Sequence, residues 1–271
     1  MTEQMTEQMT ERQTDLILDV RGLTGGYDTT QIFTGIDLQI ANGESIGIFG
    51  PNGHGKTTLL KTLSGLIDPW SGDIFFCGER MNRAGDRGSR RMRNFNYDAI
   101  TRRRIDPKAV ARAGLIHVQQ GNLLFPELTV DETLSIASTA ARGRKGWSMA
   151  EVKALFPRLG ERAGHKIRFL SGGERQMVSM GAGLMAAPKL LILDEPTLGL
   201  SPKVRQELCD AILSVRDQGL PLVLIDQDVA FLEQIIDTLY LFDHGRFSGR
   251  MGKSEMPDHE TLMNMLFGEA H

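Results

Sequence analysis

The order of apolar and polar positions divides the chain into short strands and amphipathic helices. Residues 16–20 (Leu-Ile-Leu-Asp-Val) form a brief apolar run suited to a strand. Residues 36–40 alternate apolar and polar side chains before Asn42-Gly43, which predicts a second strand closed by a turn. Residues 45–49 read as a buried strand running into a glycine-rich loop, and residues 57–66 follow with Leu59, Leu60, Leu63 and Leu66 at helical spacing. Further along, the pattern predicts a strand at 115–118 and helices from about residue 131 to 159, within a small helical subdomain over about 125–170. The last hundred residues alternate again: strands at 189–193 and 220–225, a helix at 202–215, and a strand at 240–242 before the Asp243-His244-Gly245 turn. Such strand–helix alternation implies a parallel α/β sheet covered by helices.

Three stretches interrupt this pattern. Residues 1–15 repeat a polar unit beginning Met-Thr-Glu; they lack the apolar core of a secretory signal and predict a disordered tail, with Met5 and Met9 as alternative starts. Residues 79–104 carry nine arginines (80, 83, 87, 90, 91, 93, 102, 103 and 104) against Glu79, Asp86 and Asp98, and predict a mobile basic insertion. A solvated loop is its plain reading, and docking to anionic lipid or to an acidic partner is the sharper one. Residues 251–271 are assigned to a C-terminal tail, which leaves 16–250 as the folded domain.

Composition narrows the function classes. With 31 basic and 34 acidic residues the net charge is -3, which argues against a protein that coats nucleic acid. No apolar run approaches the roughly 20 residues needed to cross a bilayer, so a cytoplasmic protein is expected, attached to a membrane only through a partner. Cys77 and Cys209 have no neighbours at metal-ligand spacing and read as buried, reduced thiols. His54, His117, His165, His244, His259 and His271 are scattered, and their spacing predicts no histidine metal cluster.

The chemistry lies in two segments. Gly50-Pro51-Asn52-Gly53-His54-Gly55-Lys56-Thr57 matches GxxxxGK[ST] after a strand and before a helix, with Thr58 next in line. Its glycines let backbone N–H groups converge on phosphate oxygens, and the helix N-terminus adds a favourable field. Lys56 is expected on the β- and γ-phosphates and Thr57 on Mg²⁺, whereas His54 occupies the free position of the loop as a tolerated neighbour. The second segment is a buried strand ending in Asp194-Glu195: Asp194 is expected to hold Mg²⁺ and Glu195 to polarise the attacking water as general base.

Leu170-Ser171-Gly172-Gly173-Glu174 upstream of Leu193-Asp194-Glu195-Pro196 resembles the paired motifs of ABC ATPases, over about residues 16–250. That resemblance implies an α/β P-loop NTPase core of the ABC type, with a small antiparallel β subdomain and a helical subdomain. It implies two cassettes sandwiching two ATP molecules, in which Ser171, Gly172, Gly173 and Glu174 complete the partner's site. Tyr27 is similar to the family's adenine-stacking aromatic, with a core tyrosine as the alternative. Gln120 resembles the glutamine that reaches Mg²⁺ and the water, although Gln119 is adjacent. Gln227 stands where most members carry a histidine contacting the γ-phosphate. Ser201 falls in the intersubunit loop, where Lys203 replaces the usual aspartate, and Ala182 replaces a common arginine.

Within the family, Leu124-Phe125-Pro126-Glu127-Leu128-Thr129-Val130, Leu155-Phe156-Pro157-Arg158-Leu159 and Leu224-Ile225-Asp226-Gln227-Asp228 resemble the ATPases of branched-chain amino acid importers and their urea or amide relatives. The partners so implied are integral membrane permease subunits, a second ATPase subunit (a heterodimer favoured over a homodimer) and, indirectly, a solute-binding protein, at the cytoplasmic face of the inner membrane and without nucleic acid. A soluble ABC ATPase of iron–sulfur assembly and a low-turnover nucleotide-sensing regulator are the competing readings; Glu195 argues against the second.

Overall fold

The computed structural model describes residues 16–83, 104–121, 123–141, 143–257 and 259–267. The repeat unit of 1–15 and most of the arginine-rich stretch lie outside these residues.

In chain order the strands are β1 (Leu16–Tyr27), β2 (Thr30–Ala41), β3 (Ser45–Phe49), β4 (Ser71–Phe76), β5 (Glu79–Arg80), β6 (Asn82–Arg83), β7 (Arg104–Ile105), β8 (Leu115–Val118), β9 (Leu190–Asp194), β10 (Leu222–Ile225), β11 (Thr238–Asp243) and β12 (Arg246–Gly252). The helices are α1 (Lys56–Leu63), α2 (Pro107–Ala113), α3 (Val130–Ser138), α4 (Met149–Leu155), α5 (Pro157–Glu161), α6 (Gly172–Met185), α7 (Pro202–Asp217), α8 (Val229–Ile235) and α9 (His259–Phe267).

The larger sheet runs β12-β11-β3-β10-β9-β8, with β11, β3, β10, β9 and β8 parallel and β12 antiparallel at the edge. Successive strand side chains point to opposite faces, and here each face has its own core. Leu191, Leu193, Leu222, Leu224, Leu239 and Leu241 join the core shared with the helical subdomain, α7 and α8. Leu190, Ile192, Val223, Ile225, Ile46 and Ile48 join the core under α1 and the second sheet. This double burial explains why these strands read as apolar runs rather than as alternating ones. The second sheet, β2-β1-β4-β5, is antiparallel.

The strands that the sequence pattern placed are present: β1, β2 and β11 extend beyond their predicted runs, β3 and β8 match them, β9 is displaced by one residue and β10 begins only at Leu222. Other elements left little signal, among them β4, which mixes Gly72 and Asp73 into a strand that buries only Ile74 and Phe76, β12, which alternates exposed and half-exposed positions, and α9, which lies among residues read as a tail, with Leu262 buried in the core. The first helix stops at Leu63 rather than Leu66 because Gly65 turns left-handed at φ 77°. There the Gly65 N–H donates to the Thr62 carbonyl and the Leu66 N–H to the Lys61 carbonyl, a Schellman closure. The expectation of two buried thiols is corrected: Cys209 is buried, but Cys77 is exposed in the turn between β4 and β5 with φ 50°.

The helical subdomain is anchored by Val130, Leu134, Val152 and Leu159 against α6. Gly181 of α6 makes this approach close, since a Cβ there would lie 2.8 Å from Val152 Cγ1 and 3.1 Å from Leu134 Cδ2. Leu134 is fully buried and Ile136, two residues on, is half exposed. Leu134→Ala is therefore expected to cost about 2–5 kcal/mol in urea denaturation. Ile136→Ala should stay within about 0.5 kcal/mol of the parent; equal losses would contradict the assignment of the inward face.

Candidate active site

The phosphate loop links the carboxyl end of β3 to α1. Its glycines answer separate demands. A Cβ on Gly50 would lie 1.9 Å from the Phe242 carbonyl oxygen of β11, so nothing larger fits beside the neighbouring strand. Gly53 and Gly55 adopt φ 81° and 105°, which side-chain-bearing residues rarely reach. Pro51 is half-buried, while Asn52 and Gly53 are exposed at the crest.

Lys56 is buried at the first position of α1, and its ammonium donates to the Gly50 and Pro51 carbonyls at 2.7 and 2.8 Å. Burial pushes the amine below its ordinary pKa, against the attraction of Glu195 and Asp194. Thr57 donates its hydroxyl to Asp194 Oδ1 at 3.1 Å, while Thr58 is buried one residue further along the helix. The P-loop motif and the carboxylate pair, 137 positions apart in sequence, thus meet at the carboxyl edge of the parallel sheet, where open α/β sheets bind ligands.

Asp194 ends β9 almost wholly buried. Burial raises its carboxyl to about 6, outweighing the Thr57 hydrogen bond, which lowers it; the Glu195 charge adds to the rise. Its second oxygen, Oδ2, is buried without a hydrogen-bond partner among the described residues. A buried, unpartnered carboxylate oxygen beside a threonine hydroxyl is a hard-oxygen donor set that fits Mg²⁺.

Glu195 is half-buried and sits in the left-handed region at φ 48°, its N–H held by the Ile225 carbonyl at 2.8 Å. Two amides orient its carboxylate: Gln120 Nε2 donates to Oε2 at 2.7 Å and Gln227 Nε2 to Oε1 at 3.3 Å. Gln120, rather than Gln119, therefore meets the carboxylate; Gln119 lines a cleft between β8 and α6. Gln227 contacts Glu195 itself, in addition to the phosphate contact expected of that position.

The residue that the sequence reading passed over is Asp226. Its buried carboxylate accepts from the Thr197 N–H and hydroxyl at 3.2 and 2.7 Å and from the Asp228 N–H at 3.0 Å. Burial raises its pKa, while these bonds oppose the rise. Asp226 thereby locks the turn after Glu195 to the loop that carries Gln227. Asp228 caps α8 through the Phe231 N–H and pairs with Arg205. The only available signal was an acidic residue directly after a buried apolar strand.

Tyr27 stands exposed at the end of β1. Ser171 and Glu174 form a reciprocal capping box on α6, with Glu174 N–H to Ser171 Oγ at 3.2 Å and Ser171 N–H to Glu174 Oε2 at 2.8 Å, and Glu174 also pairs with Arg162. The two glycines between them differ. Gly173 is needed inside the chain, since a Cβ would lie 2.7 Å from Val204 Cγ1, whereas around Gly172 there is open space. His54 contacts Asp243 and His244 on the far side of the loop.

Comparison with known proteins agrees with this architecture. The family model for ABC transporters matches residues 33–198. The high-affinity branched-chain amino acid transport ATP-binding protein BraG of Pseudomonas aeruginosa is 32% identical, over 81% of this chain and 86% of the relative. The "probable branched-chain amino acid transport ATP-binding protein" LivF of Archaeoglobus fulgidus is 31% identical over 91% and 96%. The glutamine transport ATP-binding protein GlnQ of Escherichia coli is 30% identical over 86% and 90%. Among solved structures, an ATP-binding subunit of an ABC transporter aligns with a TM-score of 0.73 at 25% identity, covering 93% of this chain and 99% of that one. The ADP conformation of an ATP-binding cassette aligns at 0.69 and 21% identity, covering 94% and 96%, a likeness of fold.

The raised Asp194 carboxyl has a pH consequence. Its folded pKa of about 6 exceeds the ordinary carboxyl value of 3.8, so folding is unpenalised below that ordinary value and loses stability as pH rises through 6. Asp194→Asn is therefore expected to raise the thermal midpoint above pH 6, in the absence of divalent ions, with the gain vanishing toward pH 4. A gain independent of pH would contradict the buried-charge account.

Proposed function

Because the chain belongs to the ABC transporter family of ATP-binding subunits, we propose that it hydrolyses MgATP to drive import of a small polar solute, with branched-chain amino acids or urea- and amide-like compounds as the leading class. The observation that carries the hydrolytic part is the Glu195 carboxylate clamped between the Gln120 and Gln227 amides beside Lys56, Thr57 and Asp194. Held in this way, Glu195 accepts the proton of an attacking water while the two amides keep its orientation. Lys56 and the loop N–H groups bind the phosphates. Thr57 and Asp194 would hold Mg²⁺, with Gln120 as a further ligand, and the ion would supply charge neutralisation at the phosphates. Gln227 is a neutral donor, which stabilises a departing phosphoryl group less than a cationic histidine would.

Two surfaces support an assembled machine. Leu123, Phe125 and Phe169 are each at least 70% exposed near Gln120, an apolar face suited to a membrane subunit. Ser171, Gly172, Leu198 and Ser201 are exposed, and the Ser201 hydroxyl makes no capping bond to α7, which suits a face closed by a second ATPase subunit across bound ATP. A heterodimer is favoured, as in the importers the sequence resembles. No helix among the described residues is long and apolar enough to cross a membrane. Attachment through permease subunits at the cytoplasmic face follows from this reading, and a solute-binding protein acts at one remove. Substrate choice rests on the branched-chain amino acid transport relatives.

Glu195→Gln should preserve ATP binding while lowering turnover by roughly two orders of magnitude or more; parent-like turnover would remove Glu195 from the general-base role. Purification of the tagged chain from native membranes should bring down integral membrane subunits and a second ATPase. Recovery of the chain with soluble partners alone would overturn the transporter assignment.

A further inference from the structure

One set of ligand-type side chains has no place in the hydrolytic site. His54 from the phosphate loop, Asp243 from the end of β11 and His244 from the following turn each offer one nitrogen or oxygen, and these atoms lie within 4.8 Å of one another. His54 Nδ1 is 2.9 Å and His244 Nδ1 2.8 Å from the same oxygen, Asp243 Oδ1, and the two imidazole rings are 4.6 Å apart.

The backbone fixes this juxtaposition. His244 and Gly245 form a two-residue hairpin turn, both at positive φ (43° and 75°), between the paired residues Asp243 and Arg246. The Thr34 N–H donates to the Gly245 carbonyl at 3.0 Å, while Gly50 leaves no gap between the loop and β11. The cluster also contains a conflict. His54 Nδ1 is within reach of the Asp243 carboxylate, an acceptor, and 3.3 Å from the His244 N–H, a donor. One ring nitrogen cannot both donate and accept. Either tautomer therefore leaves one of the two contacts unmet, and a cation bound to the Nδ1 lone pair and the Asp243 carboxylate would take the place of both.

We propose that His54, Asp243 and His244 bind a divalent first-row transition ion, with Zn²⁺ as the reference case, and that the ion clamps the phosphate loop to the β11–β12 turn. Two imidazoles and a carboxylate form a donor set for Zn²⁺, Ni²⁺ or Cu²⁺ with an open position left for water. Mg²⁺ prefers all-oxygen surroundings, so the two sites select different ions. Around Zn²⁺, with bonds of about 2.0–2.2 Å, ligand atoms stand roughly 3.3 Å apart, so each histidine nitrogen would move out from its present 2.8–2.9 Å from Asp243 Oδ1. His244, with 83% of its side chain exposed, has room for that adjustment. His54 serves as the link, because it belongs to the loop that cradles phosphate.

The test uses the full chain with Co²⁺ as spectroscopic probe and Zn²⁺ as competitor, in the presence of excess Mg²⁺. Titration of Co²⁺ should produce visible ligand-field bands without a near-ultraviolet thiolate band, and Zn²⁺ should abolish them and raise the unfolding midpoint. His244→Asn keeps a residue that tolerates positive φ; it should weaken binding by about tenfold or more and leave ATPase activity unchanged in buffer that contains Mg²⁺ but no transition-metal ion. Asp243→Asn should weaken binding similarly. Equal affinity in the parent and both variants would overturn the proposal, as would a thiolate band, which would place the ion on Cys77 or Cys209.

Discussion

The site is organised around a carboxylate held in a place too dry to leave its charge fully compensated. Asp194 closes a strand whose five residues are all buried, and one of its oxygens has no hydrogen-bond partner among the described residues. Such a group disfavours its own ionisation. The neighbouring groups respond to that charge: Thr57 donates to it, and the buried Lys56 ammonium is drawn against its own desolvation toward Asp194 and Glu195. Charges that only partly satisfy one another in this way are prepared for a ligand that brings both anionic phosphate and a hard cation.

Holding such groups in place falls to the sheet rather than to the loops. β3 is paired on both sides, to β10 and to β11, and both of its faces are packed. The loop that leaves it inherits a fixed origin. Gly50 has no room to shift toward β11, and Gly55 none toward Ile32 of β2, where a Cβ would lie 2.6 Å from Cγ2. The antiparallel sheet thus contributes a wall of the phosphate loop, besides presenting Tyr27 at the end of β1. On the opposite side, Asp226 performs the same service for Glu195 and Gln227 through three hydrogen bonds.

What could be read from the sequence follows from how local each signal is. The phosphate loop, the Asp194-Glu195 pair and the Ser171 capping segment are contiguous, and their chemistry is written in adjacent residues. The strands of the parallel sheet were equally legible because burial on both faces leaves unbroken apolar runs. β4 and β12 were not, since one face of each meets solvent and glycine interrupts the alternation. Asp226 as a brace, and His54 beside His244 across 190 positions, depend on strands brought together by the sheet. Spacing in sequence carries no trace of that adjacency, which is why six scattered histidines predicted nothing.

Glu195 combines the carboxylate proposed as general base with a left-handed backbone that glycine or asparagine would occupy with less strain. At this position, what is best for the fold and what is best for the reaction point to different amino acids. A population of variants selected only for thermal endurance would drift away from glutamate here, and under the proposed mechanism its descendants would be hardy but inert. Glutamate in a conformation that discourages it is what the general-base role proposed for Glu195 would require of the fold.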